Sequence, residues 1–264
     1  MSSHPIALTI AGSDCSGGAG IQADLKTFQH LGVHGLSAIT SIVSETPLIV
    51  RQIEPVTMPL LQDQINLLLE SYPVGAIKTG LLPTRATTIA VFEILKKINL
   101  PLVVDPVMVA SSGTQLVDNT TVAILTSRLL PITTLVTPNM AEASAILDRP
   151  VSTESDLESA ARDISERYQT SCLVKGGHLP GNGDRLDVLW HNGQTHHYSH
   201  PAADLPKEGI HGTGCTLSAA ITAELAKGQP VEAAVQTAID LVQKLITSAH
   251  SWASGDDAIL CLGW

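Results

Sequence analysis

The run His211-Gly212-Thr213-Gly214-Cys215-Thr216 leads directly into the apolar stretch LSAAITAELA. Two glycines let the backbone turn sharply and expose successive N–H groups. A helix starting there adds partial positive charge, so the turn is suited to an anion. If that anion is a transferring phosphoryl group, these donors stabilise charge as it develops. An ordinary glycine loop before a helix fits the same residues. Cys215 falls in the first helical turn, where a thiol is expected to have a lowered pKa and to serve as base, nucleophile or anion contact. A small buried apolar residue is the alternative. Another glycine-rich turn, GSDCSGGAG, the first in chain order, is followed by Ile21-Gln22-Ala23-Asp24. It is neither a Walker A loop nor a dinucleotide fingerprint. Asp24 lies one turn into the next helix, where a carboxylate could bind a ligand amine or hydroxyl, or simply complement the helix N-terminus.

Three further residues sit where strands end. Asp105 closes the buried run Leu102–Asp105 and precedes Pro106, and a buried carboxylate needs a partner. Magnesium with phosphate is a natural one, because that ion needs few carboxylates when phosphate and water supply the rest. Glu142, in Thr137-Pro138-Asn139-Met140-Ala141-Glu142, follows another strand end, and Lys175 can neutralise phosphate as a point charge. Each alone could be a structural ion pair; their joint placement points to a site. His196, His197 and His200 are read as solvated, since strand alternation sends neighbours to opposite faces.

The elements that position these residues alternate between strand and helix. Ile6–Ala11, Leu36–Val43, Val74–Lys78, Leu102–Asp105, Thr134–Thr137 and Cys172–Lys175 read as strands. Helices are expected after Gly20, over Leu60–Leu69 with Pro59 in the first turn, over Arg85–Ile98, from about Asn139, and over Asp156–Tyr168 with Thr153 or Ser155 as cap. Asn192-Gly193 between Leu186–Trp190 and Thr195–Tyr198 predicts a hairpin. Helices over about Thr213–Ala226 and Val231–His250 close the chain. This alternation predicts an α/β fold, a mostly parallel sheet with helices on both faces. In such sheets ligands bind beyond the carboxyl ends of the strands, where the glycine turns, Lys78-Thr79-Gly80, Asp105 and Lys175 fall. Residues 1–264 read as one domain, and the glycine-rich Pro180-Gly181-Asn182-Gly183 as a candidate lid.

Composition narrows the function. Apolar residues make up 44% and charged residues 15%, which argues against disorder. With 15 basic and 25 acidic residues the net charge is −10, the wrong sign for a protein that tracks nucleic-acid phosphates. Cys15, Cys172, Cys215 and Cys261 form no CxxC pair, so neither a zinc module nor a disulfide framework is expected. No stretch reaches the ~18 apolar residues of a membrane span, and the start of the chain lacks the pattern of a signal peptide. A cytoplasmic protein with a small-molecule ligand is expected.

The blocks ALTIAGSDCSGGAGIQADLKTF, HGLSAIT, KTGLL, VVDPVMVASSG, TPNMAEA, CLVKGGHL and HGTGCTLSAAI lie between residues 7 and 221. In this order they resemble the ribokinase-like superfamily and, within it, the bacterial hydroxymethylpyrimidine/phosphomethylpyrimidine kinases of thiamine biosynthesis. The resemblance implies a Rossmann-like three-layer α/β/α fold, often dimeric, that uses ATP and Mg2+ to phosphorylate an aminopyrimidine alcohol and then its monophosphate. It implies that Gly12, Asp24, Glu45, Leu81 and Val107 face the pyrimidine. Asp105 and Glu142 fall in the magnesium-phosphate region, with Asn139 on the nucleotide side and Lys175 at the ATP phosphates. Gly212, Thr213 and Gly214 form the anion hole, and Cys215 stands where many sugar kinases of the superfamily carry a catalytic Asp. Three departures stand out. Glu45 occupies the position of a family Gln, Leu81 replaces a Met, and the ending ASGDDAILCLGW lacks the usual Gly/His/Pro-rich pattern. An ionised Glu only accepts hydrogen bonds, so Glu45 is expected to favour a ring protonated on nitrogen and to shift selectivity toward the monophosphate. A pyridoxal-type kinase is the nearest alternative. A catalytically silent ligand-binding protein on the same fold is another, which loss of Asp105, Lys175 or the GTGC turn would have marked.

Overall fold

A computed structural model describes residues 4–110, 112–177, 184–201, 211–254 and 257–264. The Pro180–Gly183 segment lies outside them. Along the chain the elements are β1 (Ile6–Asp14), α1 (Gly20–His30), β2 (His34–Thr46), β3 (Ile49–Pro55), α2 (Met58–Ser71), β4 (Ala76–Thr79) and α3 (Arg85–Leu95). There follow β5 (Leu102–Val104), α4 (Asn119–Ile124), β6 (Leu135–Val136), α5 (Met140–Leu147), α6 (Glu154–Tyr168) and β7 (Ser171–Lys175). The last are β8 (Arg185–His191), β9 (Gln194–His200), α7 (Thr213–Ala226), α8 (Val231–Thr247), β10 (His250–Ser254) and β11 (Asp257–Cys261).

Nine strands form one sheet in the order β3-β2-β1-β4-β5-β6-β7-β8-β9. The block from β2 to β7 is parallel, and β3, β8 and β9 are added antiparallel at the two edges. The parallel strands carry apolar runs because helices cover both faces. On one face Leu61, Ile65, Val91, Leu157 and Ile164 from α2, α3 and α6 meet Leu8, Ile10, Ile77 and Val104. On the other, Leu217, Ile221, Val235 and Ile239 from α7 and α8 meet Val103, Leu135 and Leu173, with Phe28 of α1 beside Ala219 and Ala223. The layers are α/β/α. No helix among the described residues is long and apolar enough to cross a membrane.

The strand order reverses at β1, which has β2 on one side and β4 on the other. Such a switch point opens a crevice at the carboxyl ends of the strands. A bulge shapes its wall: Ala11 pairs with Ile39 but Ser13 with Ile42, so β2 carries one extra residue. The extra residue turns Ser41 and Val43 toward Gly12 and Leu81. A Cβ added at Gly12 would lie 3.0 Å from Ser41 Oγ, 3.4 Å from Leu81 Cδ2 and 3.5 Å from Val43 Cγ2.

Most sequence expectations fall within a few residues of the observed ends. Thr153 caps α6 in a capping box, and Asn192 and Gly193 (φ 51° and 76°) make the β8–β9 turn. Some elements differ, and β3 and α4 were not among the expected ones. Strand β1 continues through Gly12-Ser13-Asp14, read as a break, because β2 pairs with it as far as Asp14–Val43. The last helix stops at Thr247, not His250, and the tail forms the antiparallel pair β10–β11.

Candidate active site

The second glycine turn and the ends of β5 and β7 meet at one point. Gly212 (φ 86°) is the N-cap of α7, and the first intrahelical bond runs from Thr216 N to Gly212 O, 2.9 Å. The N–H groups of Thr213, Gly214 and Cys215 therefore precede the helical ladder, at the positive end of the dipole. Lys175, last in β7, reaches Asp105 Oδ1 at 3.3 Å. Asp105 also accepts from Ser218 Oγ (3.3 Å) on α7 and Thr137 Oγ1 (3.5 Å) after β6. A Cβ at Gly214 would lie 3.2 Å from Lys175 Nζ and 3.9 Å from Asp105 Oδ2, so glycine is what lets the helix start approach the ion pair. Burial pulls the Lys175 pKa down, but Asp105 and Glu142 outweigh it and hold the ammonium above its ordinary range.

Asn139 and Glu142 sit beside this pair through a backbone bridge between Asn139 and Lys175. Asn139 Oδ1 accepts from Glu142 N and Glu142 Oε2 from Asn139 N, both at 2.9 Å, a capping box for α5. The side-chain oxygen of Asn139, a residue expected on the nucleotide side, is thus engaged by its own helix. Glu142 is 5% exposed, and burial, countered by Lys175 and reinforced by Asp105, pushes its carboxyl up to about 7.

Asp24 is corrected by the structure. It is fully buried, and its carboxylate accepts from Thr9 Oγ1 (2.6 Å) and from Lys78 Nζ (2.5 Å). The amine that it holds is Lys78 of β4, not a ligand. Burial alone would drive Lys78 toward the neutral amine; Asp24, with Cys215 and Asp105 nearby, keeps it charged and its pKa above the ordinary range. Lys78 was noted at its strand end without a role. The signal was a cation inside the buried run Ala76–Thr79, which demands a carboxylate partner.

The expected lowering of the Cys215 pKa is also corrected. The residue keeps partial accessibility, yet burial pushes the thiol up to about 12. Desolvation is the largest influence; Lys78 and the Gly20 N–H pull the pKa down, and Asp105 and Asp24 push it up. Asp24, Lys78, Cys215, Asp105, Lys175 and Glu142 nevertheless act on one another as one cluster.

Gly12, Leu81, Ser41 and Val43 form the wall described above, and Val107 is partly buried against the same core. Glu45 lies two residues beyond Val43 and is half-buried, with its carbonyl accepting from the Cys15 thiol at 3.2 Å. Burial and then the Asp14 charge, against His211, push its carboxyl up to about 7. A cavity of about 420 Å³ opens on the far side of the first glycine turn, lined by Gly18, Lys26, Pro47, Trp252 and Cys261 among others. His197 and His200 contact Glu158 and Asp187, and among the described residues no His/Cys/Asp/Glu group gathers as a metal cage.

Comparison with known proteins places this geometry. The phosphomethylpyrimidine kinase family matches residues 14–259. A hydroxymethylpyrimidine/phosphomethylpyrimidine kinase of Rhizobium meliloti is 42% identical over 245 residues, covering 92% of this chain and 91% of its own length. A Schizosaccharomyces pombe relative, a putative kinase of the same description, is also 42% identical; 92% of this chain aligns, but it spans only 47% of that longer protein. Among solved structures, an ADP complex of Bacillus subtilis pyridoxal kinase superposes with a TM-score of 0.89 at 34% identity, covering 98% of each chain. Phosphomethylpyrimidine kinase from Clostridium difficile 630 gives 0.81 at 35%, covering 92% of this chain and 99% of that one. With a ribokinase-like fold and matches over nearly its whole length, the chain belongs to the phosphomethylpyrimidine kinase family of phosphotransferases.

Proposed function

We propose that the protein transfers the terminal phosphoryl group of ATP to 4-amino-5-hydroxymethyl-2-methylpyrimidine phosphate, and to the free alcohol, in thiamine diphosphate biosynthesis. One observation carries the reading: Lys175 and Asp105 lie against Gly214 at the start of α7, so a cation, a carboxylate and a row of N–H groups face one point. Phosphoryl transfer needs mainly positioning and charge neutralisation, which this arrangement offers. Lys175 neutralises phosphate oxygens, and the Gly212–Gly214 turn holds the transferring group. Gly12, Leu81, Val107 and Glu45 take the ring.

The donor set suits Mg2+. Asp105 and Glu142 offer only hard oxygens, and two carboxylates suffice where phosphate and water complete the shell. Bound with ATP, the ion would neutralise phosphate charge. The protein works as a homodimer in this reading, supported by exposed Leu60 (52%) and Leu67 (57%) on α2; sedimentation tests it.

With its thiol pushed up to about 12, Cys215 carries its own proton before substrate binds; it acts as a base only after releasing that proton to solvent, a loss that Lys78 favours, and the thiolate then takes the alcohol proton. The monophosphate is already an anion and needs no base. Cys215→Ala is therefore expected to slow the alcohol step by ~10²-fold and the monophosphate step far less, in steady-state assays of each. Equal losses would refute the base role. Selectivity for the monophosphate is assigned to Glu45, and its raised pKa sharpens how. When protonated, Glu45 donates to the ring nitrogen and accepts from the exocyclic amine, the pattern of a Gln amide. Because the protonated form matches Gln, the selectivity belongs to the ionised form, and unchanged alcohol-to-monophosphate ratios in Glu45→Gln above about pH 7 would reject it. A pyridoxal kinase is the second reading, favoured by the 0.89 TM-score above; parallel assays with pyridoxal and the aminopyrimidines separate the two.

A further inference from the structure

The two glycine turns, 197 residues apart in the chain, are locked to each other. His211 Nε2 donates to Asp14 Oδ2 at 3.0 Å, with side chains 5% and 1% exposed. Asp14 is also the node of the first turn. It accepts from Ser16 N (2.7 Å), Ser16 Oγ (2.9 Å), Gly18 N (3.0 Å) and Ala19 N (2.7 Å). His211 directly precedes the N-cap Gly212. A Cβ at Gly212 would stand 1.8 Å from Gly18 O, and one at Gly18 would stand 2.6 Å from His211 Cδ2. Backbone therefore lies on backbone, and the imidazole–carboxylate bond crosses the seam.

The divergent tail forms the third side of this joint. His211 N donates to Leu260 O (3.4 Å), and His211 bridges to Cys261 of β11. Gly263 N donates to Leu245 O (3.1 Å), and Ser248 Oγ donates to Gly263 O (3.0 Å), tying the tail to the end of α8.

We propose that Asp14 and His211 are a positioning pair that holds the acceptor-side turn in register with the anion-binding turn, backed by the β11 tail. The proposal rests on the kinase reading. Neither side chain reaches the reacting atoms; each acts through its own turn. The first turn adjoins the ring pocket at Gly12, and the second begins the helix that faces Lys175. The bond between them therefore sets the distance from acceptor oxygen to phosphorus. A misplacement of ~1 Å costs about 10²-fold in rate.

The test compares His211→Leu and His211→Gln in the full-length protein, with two readouts. In steady-state kinetics with ATP and the aminopyrimidine monophosphate, His211→Leu lowers kcat about 10²-fold with KM changed by less than about threefold. His211→Gln, whose amide can donate to the same carboxylate, recovers at least about tenfold of that loss. In amide hydrogen exchange, Gly18 and Ala19 in His211→Leu exchange about tenfold faster, although the substitution lies in the other turn. Where His211→Leu does not fold, Asp14→Asn carries the test, with kcat lower by about tenfold at near-constant KM. Wild-type kcat, a loss confined to KM, no recovery by Gln, or unchanged exchange at Gly18 and Ala19 overturns the pairing. Exchange does not depend on turnover, so failure of the kinase reading shows separately, as wild-type protein that makes no phosphorylated pyrimidine.

Discussion

Two lysine–aspartate pairs, Lys78 of β4 with Asp24 of α1 and Lys175 of β7 with Asp105 after β5, differ in what surrounds them. Lys78 and Asp24 are 2.5 Å apart, fully sealed, with Thr9 as a further donor to the carboxylate. Lys175 and Asp105 are 3.3 Å apart, with 15% and 4% of their side chains exposed, at a helix start that glycine keeps clear. The residue types are the same and the duties are opposite. The closed, short pair exposes no side-chain surface to a ligand; Lys78 favours the Cys215 thiolate and Asp24 opposes it. The longer, partly open pair can give its cation to an incoming phosphate. Slack and access separate binding chemistry from scaffold here.

Substitutions that treat the pairs alike should expose the contrast. Lys78→Met leaves a buried carboxylate without its cation and is expected to lower stability by about 3–5 kcal/mol in urea unfolding. Adding Asp24→Leu should return most of that loss, because a matched apolar pair removes both desolvation penalties. Lys175→Met is expected to disturb stability less than Lys78→Met but to lower kcat by about 10²–10³-fold, as for loss of a donor to developing charge. Similar stability losses in the two single variants would break the comparison.

Glu45 gives the smallest effect and sharpens the acceptor side. Under the proposed ring-binding role, its carboxyl, raised to about 7 by burial, would bind a neutral ring best while protonated. Above that pH the free protein loses the shared proton, so kcat/KM for the pyrimidine should fall about fivefold from about pH 7 to about pH 8. Glu45→Gln should lack that alkaline limb. The same limb in both proteins would place the titration elsewhere.

Local chemistry made much of this fold legible in the sequence. Asn192-Gly193 supplies the two positive φ angles of a tight hairpin, and Thr153 supplies a cap, whatever the rest of the chain does. Strand β3 was missed because Ile49–Pro55 is an edge strand with little burial and exists by pairing with β2. The β10–β11 tail carried no turn or cap signal strong enough to end the preceding helix at Thr247. Within the site, the residues at strand ends were found by position. Their partners were not: Asp24 meets Lys78 54 residues away and Asp14 meets His211 197 away, and no local period encodes such pairing. The sign of the Cys215 shift was missed for a related reason. A helix start is visible in sequence, but the desolvation that overrides it depends on what packs over the thiol.

In the proposed function this cluster carries phosphate from ATP to a small ring-bearing acceptor. Mass spectrometry of the products formed from ATP with the aminopyrimidine alcohol, and separately with its monophosphate, is the decisive measurement. The expected products are the diphosphate from the monophosphate and, more slowly, a singly phosphorylated alcohol. ADP formation with neither pyrimidine gaining a phosphate would contradict it.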